Sequence, residues 1–175
     1  MKVVQQNPLV FLSLLKMANH EPDTREEIGK ISQELPHFGI KLLSPDLAKS
    51  DMDFKIEGSN IRFGLNSIKG VSEKSLEALQ EFRDSDMPNK IDIFIAAKQA
   101  GINIGVLSSL IQAGALSEYK TNRSLLVLEA QAFNILTDRE KRNIISIAEK
   151  YDYKILNIMH ESQEKTLIGD DNKPI

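Results

Sequence analysis

The stretch GLNSIKGVSEKSLEALQEFR, Gly64–Arg83, decides how the chain folds. A short run stops at Lys69-Gly70, turns through Val71-Ser72, and restarts as an amphipathic helix with Leu76, Leu79 and Phe82 on its inward face. Two helices, one over about residues 65–69 and one after Ser72, therefore meet at a turn too tight to be a linker. Glycine at position 70 lets the backbone take a positive φ and approach another molecule closely. The free N–H groups of such a turn and of the helix that follows can hold a phosphate oxygen. Lys69 and Lys74 flank the turn and Arg62 lies just upstream. The same residues also make an ordinary corner, with Gly70 ending one helix and Ser72 capping the next. The turn alone does not choose between them.

Upstream, FKIEGSNIRF sets Phe54 and Ile56 against Ile61 and Phe63 across Glu57-Gly58-Ser59-Asn60, the pattern of a β-hairpin. Before it, Asn7-Pro8 opens a helix running to about Asn19. Its Leu9, Val10, Phe11, Leu12, Leu14, Leu15 and Met17 cover nearly the whole circumference, which predicts burial on several sides. Asp23 with Glu26 starts a second helix, to about Leu35, ended by Pro36.

Downstream, a polar loop over residues 84–90 leads to helices over about 91–100 and 106–113, the latter broken at Gly114. Asn122 caps a helix over about 123–136 with Leu125, Leu128 and Phe133 inward. Thr137 and Glu140 form a capping box for a last helix to about Tyr151. The tail from Ile155 turns polar, and its closing GDDNKPI is expected to fray. Ala113-Gly114-Ala115 thus makes a second helix–tight turn–helix unit, with Lys120 and Arg123 near its end.

With 175 residues, 41% hydrophobic and 27% charged, the chain has the composition of a globular protein of one domain or two small ones. It has no Cys, which removes disulfides, thiolate metal sites and a thiol nucleophile. Its three His, His20, His37 and His160, are scattered, and no phosphate-binding glycine loop is present. The apolar run Leu9–Leu15 is too short to span a membrane and is not followed by a small-residue cleavage site. The net charge of −3 argues against a general polyanion binder, so any nucleic-acid contact is local.

Gly39, Ile40, Pro45, Asp46, Ser50, Phe54, Ile61, Arg62, Gly64, Leu65, Ile68, Lys69, Gly70 and Val71 stand in the order and spacing of a region of the bacterial DNA polymerase III alpha subunit, the C-family replicative polymerase, which this sequence resembles. Leu110, Ile111, Ala113, Gly114, Ala115, Asn122 and Arg123 continue the resemblance, and Pro8 and Phe11 begin it. It covers about residues 7–135. Ser72 stands where that family usually has Gly, and Ala48 where it has Asn.

The resemblance implies a mainly α fold with a small β-hairpin, in which a tandem helix-hairpin-helix element follows a helical segment from the end of the fingers. The divisions expected are residues 1–53 for the fingers-end segment and 54–136 for the hairpin and DNA-binding element, with 137–175, beyond the resemblance, as a C-terminal helix and polar tail. The resemblance further implies non-sequence-specific binding to the backbone of duplex or primer–template DNA in replication. The residues concerned would be Arg62, Lys69, Gly70, Val71, Ser72, Lys74, Gly114, Ala115, Lys120 and Arg123.

A complete polymerase needs Mg held by palm carboxylates. No cofactor is expected in this chain, because Asp51-Met52-Asp53 falls where the family has its hairpin and reads as a solvated turn, as does Gly169-Asp170-Asp171. The chain is therefore expected to be inactive alone and to work in the bacterial cytoplasm, or in a phage-infected cell, with a separate chain carrying the palm. A start Met and an unmatched tail after about Leu136 are expected of a separately encoded or truncated polypeptide. Two other functions fit the same residues. One is a protein-interaction fragment docking on a polymerase half through residues 7–35, and the other is a free-standing helix-hairpin-helix DNA-binding protein.

Overall fold

Asn7 opens the first helix, α1 (Pro8–Ala18), by accepting a hydrogen bond from the Leu9 N–H at 3.1 Å, and Pro8 supplies the preset φ of the first helical residue. The computed structural model describes residues 7–119, 121–168 and 172–174. The chain divides into two units. One takes the described residues up to Leu76 together with Ala113–Leu116, and the other takes Glu77–Gln112 and the described residues from Ser117 onward. Among the described residues no helix is long and apolar enough to cross a membrane.

In the first unit α1 is followed by α2 (Thr24–Glu34), a 3-10 turn at Leu35–Phe38 and three short strands: β1 (Leu42–Leu43), β2 (Lys55–Glu57) and β3 (Asn60–Arg62). The expected hairpin forms in register, with Ile56 opposite Ile61 and Glu57 opposite Asn60 across Gly58-Ser59, where Gly58 has φ 64°. β1 adds to the other edge of β3 in parallel, pairing Leu42 with Ile61, a long-range pairing that the local pattern does not announce. Phe11, Leu15 and Ala18 of α1 pack with Ile28, Leu35, Ile40, Phe54 and Ile61 into the core of this unit.

One expectation is corrected here. α1 is not buried on several sides: Leu9, Val10, Leu14 and Met17 stay exposed, Met17 by 65%, because one stripe at i, i+4 and i+7 is enough to meet the core. α2 starts after Asp23 as expected, but Asp23 and Glu26 form no capping box. Asp23 makes no side-chain cap, while Glu26 and Glu27 pair with Lys30 at 3.0 and 2.8 Å. Pro36 ends α2 as expected, the last α-helical residue being Glu34. The proline sits inside the 3-10 turn, which Gly39 ends at φ 73°.

Several residues of the polymerase-like pattern are scaffold. The Asp46 carboxylate accepts from the N–H groups of Ala48 and Lys49 at 3.0 and 2.9 Å, an Asx turn. The buried Ser50 hydroxyl donates to the Phe63 carbonyl at 2.8 Å and accepts from the Asp46 N–H, tying that turn to the hairpin. Gly64 has an ordinary φ of −79°, but a Cβ there would lie 2.5 Å from the backbone carbon of Asp53, so close approach of two chains demands glycine.

The second unit contains α3 (Leu76–Asp84) from Glu77 onward, α4 (Lys90–Gln99), α5 (Ile104–Ala113) as far as Gln112, α6 (Arg123–Ile135), α7 (Asp138–Ile147) and α8 (Ile155–Glu164). Leu79 and Phe82 of α3 are buried as expected, whereas Leu76 is 37% exposed. α6 turns a different face inward from the one expected: Leu126, Ala130 and Phe133 are buried, with Leu125 and Leu128 outside. α8 replaces part of the polar tail, its Ile155 and Ile158 fully buried. Within the closing GDDNKPI, the segment expected to fray, residues 169–171 and 175 lie outside the described residues. Ile168 bridges to Pro174, whose carbonyl accepts from the Arg139 guanidinium at 2.8 Å.

The capping box at α7 forms as expected. The Thr137 hydroxyl accepts from the Glu140 N–H at 3.3 Å, and the Thr137 hydroxyl and N–H each donate to Glu140 Oε2 at 2.7 Å. These donors, the hydroxyl foremost, hold the Glu140 carboxyl below the ordinary glutamate range. A lowered folded-state pKa contributes stability that is present above the unfolded-state value and is lost as pH falls through the folded one. Thr137→Ala is expected to cost about 1 kcal/mol at neutral pH. In thermal melts run from neutral pH down to about 3, below the glutamate range, Glu140→Gln should flatten the acid-side loss of stability. An unchanged acid arm would refute that role for Glu140.

Candidate nucleic-acid interface

The helix expected before Gly70 is a single 3-10 turn, Leu65–Ser67, after which Ile68 is already extended. Ile68 and Val71 are buried on either side of the turn and anchor it, and the Val71 N–H donates to the Ile68 carbonyl at 3.0 Å. Gly70 between them has φ 90°, which excludes a β-branched residue. Among the described residues the N–H groups of Lys69, Gly70 and Ser72 donate no hydrogen bond, and Lys69 and Lys74 are exposed with no ion pair. Ser72 does not cap the following helix with its side chain. Its carbonyl instead accepts from Ser75 N–H at 2.9 Å, starting a 3-10 turn at Glu73–Ser75 that runs into α3. The turn is therefore held from inside by Ile68 and Val71 while its polar groups are left over.

Arg62 does not belong to this set of free cations. Its guanidinium forms a two-pronged bond with Glu57, with Nε on Oε2 at 2.7 Å and Nη2 on Oε1, and Nη1 donates to the Ser44 carbonyl at 2.8 Å. The pair pushes the Glu57 carboxyl down and the Arg62 guanidinium up, the mutual hydrogen bond being the main cause in each. The hairpin register could have revealed this. Arg62 faces Lys55, and Glu57 is the diagonal neighbour on the same face.

Around the second glycine, Gly114 has φ 88°, as a tight turn requires, and Ala115 is buried with its carbonyl accepting from Leu47 N–H at 2.8 Å. Gly114 and Ala115 belong to the first unit and Arg123 to the second. There the Arg123 guanidinium donates to the Gln112 carbonyl at 3.2 Å and lies 3.5 Å from the Ser117 hydroxyl. Lys120 lies outside the described residues. A further tight turn joins α4 to α5, with Gly101 at φ 78° and the Asn103 side chain accepting from Val106 N–H at 2.9 Å, and the sequence reading did not single it out.

Asp51 and Asp53 are structural. Asp51 pairs with Lys55 at 3.0 Å, and Asp53 accepts from Asn19 at 3.2 Å and from Phe54 N–H at 2.8 Å. The Asn19 side-chain Oδ1 in turn accepts from the Ser67 hydroxyl at 2.6 Å, a bond between the end of α1 and the base of the Gly70 turn that no sequence pattern flags.

The helix-hairpin-helix motif matches residues 39–126, which contain both turns. The chain belongs to the helix-hairpin-helix family. This helix-hairpin-helix chain is also similar to the DNA polymerase III subunit alpha of Thermus aquaticus, with 32% identity over 122 residues, 68% of this chain and 10% of that protein. The corresponding figures for Aquifex aeolicus are 41% over 93 residues, 51% and 8%, and for Chlamydia muridarum 26% over 152 residues, 86% and 12%. The resemblance read from the residues is thus observed, and so is the mainly helical fold with a small sheet. The helix-hairpin-helix chain spans about a tenth of the length of the curated relatives it matches.

Proposed function

We propose that the chain is the backbone-gripping, DNA-binding part of a C-family replicative polymerase, holding duplex or primer–template DNA without reading its sequence. The observation that carries this reading is the Gly70 turn, whose unpartnered N–H groups lie between the unpaired Lys69 and Lys74 in a chain of the helix-hairpin-helix family. Gly70, Ser72, Lys69 and Lys74 supply the first contact, the Gly114-Ala115 turn of the same unit is a further one, and Arg123 contributes separately from the second unit. Arg62 acts indirectly, by clamping the hairpin that leads into the turn. The chemistry of nucleotide addition is assigned to a palm outside these residues. Asp51 and Asp53, tied to Lys55 and Asn19, do not fit a metal pair, and no step runs through Mg here.

Fluorescence anisotropy with a labelled primer–template duplex tests the reading. If about three phosphates are neutralised, the log–log salt slope is expected near −2.7. A slope near zero, or no binding at low salt by a folded chain, would reject it.

The α1 face favours a second reading, docking on a chain that carries the remainder of the polymerase. Leu9, Val10, Leu14 and Met17 form an exposed apolar surface on one helix. Leu14→Lys with Met17→Lys is then expected to abolish co-elution with that remainder in size-exclusion chromatography while leaving the fold intact. Co-elution of the double variant at wild-type strength would exclude α1 as the contact.

A further inference from the structure

The Gly70 turn forms one wall of an open cleft of about 580 Å³ in the first unit, and the chain from Pro22 to Glu26 forms the other. Arg25 on that second wall is exposed and has neither an ion pair nor a hydrogen bond among the described residues. Neighbouring cations are already engaged: Lys16 lies 3.8 Å from Asp53, and Lys30 is held by Glu26 and Glu27. The cleft thus presents Arg25 on one side and Lys69 with the unpartnered N–H groups of Lys69 and Gly70 on the other. Its floor is tied across by the 2.6 Å bond from the Ser67 hydroxyl to Asn19, which links the segment leading to Arg25 with the segment leading to Gly70.

We propose that this cleft takes a backbone phosphate of nucleic acid beside the one held at the Gly70 turn, with Arg25 as its cation. The inference rests on the backbone-gripping reading and adds a residue to it. Arg25 suits the task because its planar fork matches two phosphate oxygens, and because the bonded floor has already fixed the distance to the facing N–H groups. Two carboxylates also line the cleft. Glu26 shares Lys30 with Glu27 and is partly compensated, whereas Asp23, whose side chain caps nothing, opposes an anion in full. This opposition gives the site a signature that an ordinary surface arginine lacks: removing Asp23 strengthens binding.

The test is anisotropy of a labelled duplex with the full chain over a range of salt. Arg25→Ala is expected to weaken binding about fivefold to tenfold near 0.1 M salt and to lower the salt slope by about 0.9, one phosphate fewer. Arg25→Lys should restore the salt slope but only part of the affinity, because an ammonium keeps the charge and loses the fork. Asp23→Asn should tighten binding by about twofold to threefold, the range of an exposed charge pair. Because Arg25 has no partner to lose, its variant should melt with the wild type. If the wild type binds with a steep slope and Arg25→Ala matches it, this inference fails and the backbone-gripping reading stands. If the wild type does not bind, both fail. Competition by a deoxynucleoside triphosphate that acts on the wild type but not on Arg25→Ala would assign the cleft to a free phosphate ligand and overturn the backbone assignment.

Discussion

Lys90→Met is expected to destabilise the second unit by about 3–5 kcal/mol, because it strands a buried carboxylate. Glu129 on α6 is 1% exposed and its Oε2 accepts from Lys90 Nζ at 2.7 Å. Lys90 is the first residue of α4, after an Asn89 cap that accepts from Ile91 and Asp92 N–H. A cation at a helix N-terminus is disfavoured by the helix dipole. Local helix chemistry therefore gives no reason for lysine at that position, and Glu129 does. With the ammonium gone, the carboxylate must be buried uncompensated, take a proton, or open the contact between α4 and α6. At this chain length the loss corresponds to a drop in melting temperature on the order of 10 °C. Lys90→Met with Glu129→Leu should recover most of it, since two apolar side chains of similar volume need no solvation. A single variant costing under about 1 kcal/mol would mean that water reaches Glu129 and that the pair acts as a surface ion pair.

That pair also marks where the sequence stops being legible. Several signals confined to three or four residues were read correctly: Asn7-Pro8 at α1, the Gly58-Ser59 hairpin register, the Thr137–Glu140 box and the Asn122 cap, which accepts from Leu125 N–H. Choices that depend on a distant partner were not. On α6 the stripe Leu125, Leu128 and Ile135 is as apolar as Leu126, Ala130 and Phe133, and only the neighbouring helices decide which is buried. Leu42–Leu43 is too short to declare itself a strand without β3 beside it. α8 lacks a side-chain cap, and its approach runs through Asp152 and Tyr153 at positive φ, where glycine or asparagine would have been the usual signal. The candidate site divides in the same way. The glycine turn was visible as a motif, whereas the capture of Arg62 by Glu57 and the placing of Arg25 opposite the turn depend on the fold.

Gly70→Val separates the two meanings of that turn. A β-branched residue at φ 90° must either bear strain of about 1–2 kcal/mol or move the backbone out of the positive-φ region. The turn is pinned from inside by Ile68 and Val71, so relief comes from rotating the outward-facing peptide units, those of Lys69 and Gly70. If these groups hold phosphate, duplex affinity at low salt is expected to fall more than tenfold while the chain stays folded, and Gly70→Ala should fall between the two. Lys69→Ala tests the charge without touching the backbone and is expected to lower the salt slope by about 0.9. If Gly70 is only a corner between helices, valine should lower the melting temperature and leave the affinity of the folded fraction unchanged. The backbone and the charge are thereby read by different variants in one titration. A clamp needs both to respond, because a phosphate held by lysine alone would tolerate valine, and one held by N–H groups alone would tolerate the loss of Lys69.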